Sequence, residues 1–338
     1  MIRIINTSFQ RIAELEPTFL RWTRRYYRAD DFKIKVPLNE YTKLGNYVVF
    51  ESRVAKITKK VTDGDFIELT GREYGFPVNK RIVVPSTQTG AGETLQKYYV
   101  TANCITDTQR KLLNFSVESD QQRGSTITLL ARYNDLEELL VDIYNRTGLG
   151  WCIEYSSGDF IFTTIEGKDR SNTQSTYPRV IFSEQFGNLE KVVVTETVEK
   201  HFNYAYMGGP GEGALRTIEE VGTATQNDRY ELFVDAKNLT TSAQLQAKGE
   251  EVLSVYDTEY QIDASFKSTD SITYDTDFFL GDIVTIKHLD YTLDLRLLEV
   301  KQTLDTKETF DFVFGKEPYT INNALNQRLN LMNSEVRI

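Results

Sequence analysis

Two runs near the C-terminus constrain the fold most. From Tyr291 to Leu297, the apolar Tyr291, Leu293, Leu295 and Leu297 alternate with Thr292, Asp294 and Arg296. From Thr309 to Phe314, Phe310, Phe312 and Phe314 alternate with Thr309, Asp311 and Val313. A period of two puts one face in a core and the other in water, so both runs predict antiparallel strands. Phe278-Phe279-Leu280-Gly281-Asp282-Ile283-Val284-Thr285-Ile286 leads into them. After Gly315 the pattern gives one short helix and no catalytic domain, which points to a structural or assembly role.

A chain of 338 residues accommodates two to four domains. Its 19 Tyr and 19 Phe favour strands, and only 7 Pro argue against disordered linkers. The net charge of -10 makes the whole chain a poor ligand for nucleic acid, whose binding needs clustered Lys and Arg. One local exception is Arg21-Trp22-Thr23-Arg24-Arg25-Tyr26-Tyr27-Arg28. Such interleaving can stack single-stranded bases, but in an acidic protein it reads better as a strand with packed aromatics and paired arginines. Cys104 and Cys152 fit neither a zinc spacing nor a disulfide framework, so synthesis in a reduced bacterial cytoplasm is expected. The N-terminus turns polar too soon for a signal peptide, and no apolar run reaches membrane-spanning length, so no membrane insertion is expected.

Residues 1 to about 85 read as strands, with Asp63-Gly64 as a hairpin turn. Pro85 to Gly92 reads as a loop. Asn134-Asp135-Leu136-Glu137 has the form of a capping box, with Asn134 and Glu137 satisfying the first-turn amides. Leu136, Leu139, Leu140, Ile143 and Tyr144 then share one helical face, and Gly148 suits a left-handed C-terminus. Trp151–Tyr155 and Phe160–Ile165 read as a hairpin. The polar stretch 168–178 marks a boundary, and Leu189–Val198 resumes as a strand. Gly208–Gly213 reads as a turn in a polar loop reaching about Asp228. Thr241-Ser242-Ala243-Gln244 is a second capping box, opening a helix with Leu245, Val252, Leu253 and Tyr256 on one side.

Chemistry is sparse. His201 and His288 stand apart, each at a strand or turn edge, with no nucleophile motif nearby. Gly208-Gly209-Pro210-Gly211-Glu212-Gly213 lacks the Lys-Ser/Thr of a phosphate loop, and Thr89-Gly90-Ala91-Gly92-Glu93-Thr94 fails likewise; both read as flexible turns. A glycosidase pair such as Glu184 and Glu190 has no support beyond the abundance of acids. The carboxylates in 257–263 and 270–277 lack the order of a calcium loop. No catalytic residue, metal ligand or cofactor site is expected.

The order of several motifs resembles the phage tail hub family, the N-terminal structural region of tail-associated lysins from long-tailed phages and prophages of Gram-positive bacteria. Trp22–Tyr27 followed by Asp31-Phe32-Lys33-Ile34-Lys35-Val36-Pro37 resembles its opening aromatic-basic strand and its "D-F" strand. Gly71-Arg72 before Arg81-Ile82 resembles its "G-R … R-I" passage. Ser183-Glu184-Gln185-Phe186-Gly187-Asn188-Leu189 resembles its mid-chain return strand, and Leu280-Gly281-Asp282-Ile283-Val284 its last-barrel entry.

The resemblance implies a β-rich α+β, multi-domain fold with two barrel-like antiparallel β domains and small α+β domains inserted and appended. The expected boundaries are 1–85 plus about 179–207 for the first barrel and 86–178 for the inserted α+β domain. The second barrel is expected over 208–318, with a helix at 241–256, and a C-terminal helix over 319–338. It also implies a homotrimer at the virion tail tip, joined to a hexameric distal tail protein and the tape measure protein. Contact with the host cell wall would follow, and DNA would pass without specific binding. Acidic side chains would line the pore. Leu325, Leu329, Met332 and Val336, spaced four, three and four, form either a trimer seam or an ordinary amphipathic face. A peptidoglycan hydrolase and a carbohydrate-binding tail module are the alternative functions.

Overall fold

The computed structural model describes residues 1–73, 78–131, 133–156, 158–189, 191–197, 201–255, 259–265 and 272–315. The chain divides into a larger compact unit, Met1–Val192 with Asp263–Phe314, and a smaller one, Val193–Ile262 with Gly315–Ile338. Strands dominate, and the described helices are few.

The larger unit opens with β1 (Ile2–Ile5), β2 (Arg11–Leu15), β3 (Phe19–Arg25), β4 (Asp31–Pro37), β5 (Tyr47–Phe50), β6 (Arg53–Asp63) and β7 (Phe66–Glu73). Their ladders run β3-β4-β7-β6-β5-β1-β2, every pair antiparallel. Strand β4 shows why: Phe32, Ile34 and Val36 are buried while Lys33 and Lys35 face water. Trp22 and Phe32 stack with centroids 5.4 Å apart inside a core that includes Ile2, Ile4, Leu20, Ile34, Val36, Ile67 and Leu69. Gly64 takes φ 55° in the β6–β7 turn, as Asp63-Gly64 predicts.

The inserted segment carries β8 (Ser86–Ala91), α1 (Gly92–Thr101), β9 (Phe115–Val117), β10 (Thr126–Ala131), α2 (Leu136–Thr147), β11 (Gly150–Ser156) and β12 (Asp159–Ile165). The expected loop at Pro85–Gly92 is a strand instead. Its polar side chains gave no alternation, yet its backbone pairs in register with Thr126–Ala131. The Thr89–Thr94 turn is likewise a strand-to-helix junction. Helix α2 buries Leu136, Leu139, Leu140 and Ile143 and ends on Gly148 at φ 71°, as expected. Its N-terminus differs: Asp135 occupies the cap position without a side-chain cap bond, and Glu137 accepts a hydrogen bond from the Ala29 amide instead. Tertiary docking has taken the carboxylate that a capping box would have used. β11 and β12 form the predicted hairpin. One core joins this module to the first sheet, since Ile5, Tyr47, Val49 and Val54 pack with Leu95, Leu140, Trp151 and Phe162.

Next come β13 (Ile181–Ser183) and β14 (Lys191–Thr197). The segment Ser183–Leu189 is mostly a turn. Ser183 Oγ accepts from the Gln185 amide, Gly187 takes φ 66°, and Asn188 Oδ1 accepts from the Ser183 amide.

The smaller unit holds β15 (Tyr204–Gly208), β16 (Ile218–Val221), β17 (Glu231–Asp235) and α3 (Ser242–Val255), with β18 (Glu259–Ser265) beginning in it. Its sheet, β16-β15-β17, buries Ala205, Met207 and Val221 with Ala236 and with Leu245 of α3. Thr241 Oγ1 accepts from the Gln244 amide, as the second capping box predicts, and the Gln244 side chain accepts from the Thr240 amide.

Returning to the larger unit, β19 (Ile283–His288), β20 (Tyr291–Leu304) and β21 (Glu308–Gly315) form the sheet that the alternation predicts. Val313 departs from the pattern and is buried. β13 pairs in parallel with β19, and β20 pairs along its second half with β3. The last sheet therefore continues the first. Residues 181–183 pair with it rather than with the N-terminal strands, a long-range parallel ladder that leaves no local sequence signal.

Tyr26 sits where these pieces meet. Its amide donates to Leu298 of β20 and its carbonyl accepts from Trp151 of β11. Its hydroxyl shares its proton between the Gly148 carbonyl at 2.9 Å and the Ile165 carbonyl at 3.1 Å, and accepts from the Gly167 amide. A Cβ at Gly281 would lie 2.1 Å from the Tyr26 ring, and one at Gly150 2.6 Å. Gly281 also holds φ +94°, which L side chains rarely adopt. Gly281→Ala is expected to cost on the order of 3 kcal/mol, and Tyr26→Phe about 1–3 kcal/mol. Urea melts read by Trp22 and Trp151 fluorescence check both; unchanged midpoints would remove Tyr26 from this role.

Candidate functional site

The basic-aromatic segment is a structural clasp. Trp22 and Tyr26 are fully buried, and Tyr27 stacks on Tyr144 with centroids 4.1 Å apart. Arg24 pairs with Glu51 and with Asp275 at 3.2 Å, and donates to Gln302. Arg25 bridges Asp31 at 2.6 Å and Glu299 at 2.8 Å. No ring of this segment is presented for base stacking.

Behind the clasp lies a buried acid pair. Trp22 Nε1 and the Arg25 amide donate to Asp30, which is 1% exposed. The Asp30 and Ile153 amides donate to Glu73, which is fully buried with Arg53 Nη1 at 3.7 Å. Burial, together with the Asp30 carboxylate, pushes Glu73 well above the usual carboxylate range against the pull of Arg53.

A second network opens α1. Arg123 donates twice from its guanidinium and once from its amide to Glu93, and Lys97 pairs with the same carboxylate. Burial alone would raise Glu93, but these hydrogen bonds hold it down to about 2. The helix N-terminus favours the same charge. A third clasp binds the 168–170 segment to the entry of β19. Asp282 accepts from the Lys168 amide, from Arg170 Nε at 2.7 Å and from the Phe279 amide. That explains Gly281-Asp282: the glycine admits Tyr26 and the aspartate ties the return segment.

The residues singled out for chemistry are dispersed. His288 Nδ1 lies 3.2 Å from Glu184. His201 is in the smaller unit, its ring 6.0 Å from that of Tyr230. Glu190 and the seam Leu325, Leu329, Met332 and Val336 fall outside the described residues. Gly208 closes β15, where Arg216 donates to its carbonyl and pairs with Asp235. Cys104 and Cys152 are free and buried, and burial pushes their thiols up to about 11 and about 12. Neither has the thiolate character of a nucleophile. Among the described residues no group of three His, Cys, Asp or Glu is placed to hold a metal ion, and no helix is long and apolar enough to cross a membrane.

Several large apolar side chains are exposed. Leu38, Leu44, Phe186 and Leu289 stand in solvent at loops and turns of the larger unit, and Leu215, 90% exposed, does so in the smaller. Each is a single exposed apolar side chain at a connection, as is common on protein surfaces. Periodicity could not find them, because they lie in the connections.

Among the described residues the charged clusters are clasps between segments of the fold. The chain belongs to the Siphovirus ReqiPepy6 Gp37-like protein family, whose model matches residues 1–316. Its fold is similar to that of prophage tail protein gp18 from Listeria monocytogenes, with TM-score 0.58 and 9% identity over 98% of this chain and 99% of that one. It is also similar to the tail protein from Neisseria meningitidis, with TM-score 0.57 and 13% identity over 94% and 96% of the two chains. A chain of the Francisella PdpA-VgrG complex matches with TM-score 0.51 and 9% identity over 93% of this chain and 51% of that one. No curated protein matches by sequence.

Two pH effects follow, opposite in sign. Glu73 has a raised folded-state pKa, so the stability tied to its neutral form is complete below about 4.5 and is lost as pH rises through the folded value. Wild type should therefore lose Tm relative to Glu73→Gln as pH rises above about 4.5. Glu93 is depressed, so its contribution is present above about 4.5 and lost as pH falls towards 2. Glu93→Gln should lower Tm at pH 7, and its deficit should shrink in acid. Parallel pH slopes for variant and wild type would contradict either assignment.

Proposed function

We propose that the protein is a non-enzymatic hub at the tip of a phage or prophage tail. The observation that carries this is the family match over 1–316, supported by a fold shared end to end with a prophage tail protein and a second tail protein. The reactive groups add support: the thiols are buried, and the two histidines lie in different units.

In this reading β1–β7 form the first barrel-like domain. β13 with β19–β21 belongs to the second, and the β3–β20 ladder joins them. Three copies place six such domains in a pseudo-sixfold ring that closes the tube and adapts sixfold to threefold symmetry. The ring meets the hexameric distal tail protein and the tape measure protein on one side and host-facing parts on the other. Residues 325–336 start a central coiled coil. DNA passes without specific binding.

Native mass spectrometry and negative-stain imaging of the purified chain, alone and with the distal tail protein, test this. The expected outcome is a ring of three copies, or its formation once the distal tail protein is added. Release of muropeptides from host peptidoglycan would favour the hydrolase reading instead.

A further inference from the structure

The acidic total hides a segregation of charge. Residues 1–73 carry 14 Lys and Arg against 10 Asp and Glu, whereas 193–262 carry 5 against 12. The first segment is net +4 and the second net -7.

The ladders put the excess positive charge on one surface. Leu20, Trp22, Ile34, Leu69 and Gly71 point inward, so their neighbours point outward. Arg21 stands opposite Lys33, Lys33 opposite Thr70, and Thr70 opposite Lys59. One row over, Asp31 stands opposite Arg72, and Arg72 opposite Lys56. Lys35 faces Glu68. Across β3, β4, β7 and β6 the outward side chains thus include Arg21, Arg25, Lys33, Lys35, Lys56, Lys59 and Arg72 against Asp31, Glu68 and, at the hairpin end of β6, Asp63. Asp31 and Glu68 are already engaged, Asp31 by Arg25 and Glu68 by Lys33 at 3.0 Å. Among the described residues no carboxylate pairs with Arg21, Lys35 or Lys59. Like charges held opposite one another on a sheet are mutually unfavourable unless something neutralises them.

The smaller unit offers the opposite surface. Its carboxylates Glu212, Asp228 and Glu250 are exposed and have no ion pair among the described residues. A polyanion would also neutralise the sheet, but a chain of net charge -10 repels phosphate over most of its surface.

We infer that the outward face of β3, β4, β7 and β6 docks the acidic smaller unit of a second copy of this chain. The contact is heterologous, basic face to acidic unit, so it propagates round a ring and leaves no free partner once the ring closes. Opposed potentials of this kind steer association and fix register. This rests on the self-assembly proposed above, and the test separates the two.

Association is followed by native mass and sedimentation at rising NaCl for wild type, Lys33→Glu/Lys35→Glu, Glu212→Lys/Asp228→Lys, and the chain carrying all four changes. All sites are exposed, and circular dichroism melts confirm folding. Each double variant should weaken association by about tenfold or more, salt should weaken wild type, and the fourfold variant should recover, since its reversed surfaces again complement each other. A wild-type chain that stays monomeric alone and with the distal tail protein would overturn self-assembly and this contact together. Association that ignores the reversals, or a fourfold variant that fails to recover, would overturn this contact alone. Retardation of duplex DNA by wild type but not by Lys33→Glu/Lys35→Glu would assign the face to a polyanion instead.

Discussion

The larger unit depends on the fit of one aromatic side chain. Tyr26 ends the β3 run, and its ring, amide, carbonyl and hydroxyl reach four parts of the chain that are far apart in sequence. Hydrogen bonds of this kind contribute about 1 kcal/mol each, so their count is not the point. The constraint is steric. Gly150 and Gly281 press against one ring, and Gly167 lies against the Gly281 carbonyl. The three segments therefore cannot take any other relative position without moving Tyr26. Helix α2, the β11–β12 hairpin and the entry to β19 all inherit their placement from that contact.

Around this point the protein buries charge in two ways. Glu93 is over-supplied with donors and stays ionised, as a buried carboxylate at a helix N-terminus can. Glu73 is under-supplied and shares its cation with Asp30. The first ties the start of α1 to Arg123, 30 residues further on. The second ties β7 to the segment after β3 and to β11, so its protonation couples three elements. A hydrophobic replacement of similar volume can match such groups in stability, but it does not supply the directional bonds that set register.

Much of this architecture was legible in the residues themselves. Alternation in Tyr291–Leu297 and Thr309–Phe314 located two strands of the last sheet, and Asp63-Gly64 and Gly148 located a turn and a helix end. Each of these signals is local, carried by side-chain period or by backbone φ. The failures are non-local or backbone-borne. Ser86–Ala91 is a strand because Thr126–Ala131 pairs with it, and nothing in its own polar side chains says so. Glu137 left its capping role for the Ala29 amide, a partner 108 residues away. The Ser183–Leu189 passage reads as extended but is turned by Asn188 and Gly187. The basic face was invisible because its cations come from strands whose adjacency in space differs from their order in the chain, and the net charge conceals it.

β20 has 14 residues, so it extends roughly 46 Å. Its first half pairs with β19 and its second with β3 and β21. It is thus a single beam set across two sheets. Force applied along it loads many backbone hydrogen bonds at once, in shear, rather than peeling them one by one. A load along this strand therefore passes from the β19 ladder to the β3 and β21 ladders without crossing a loop.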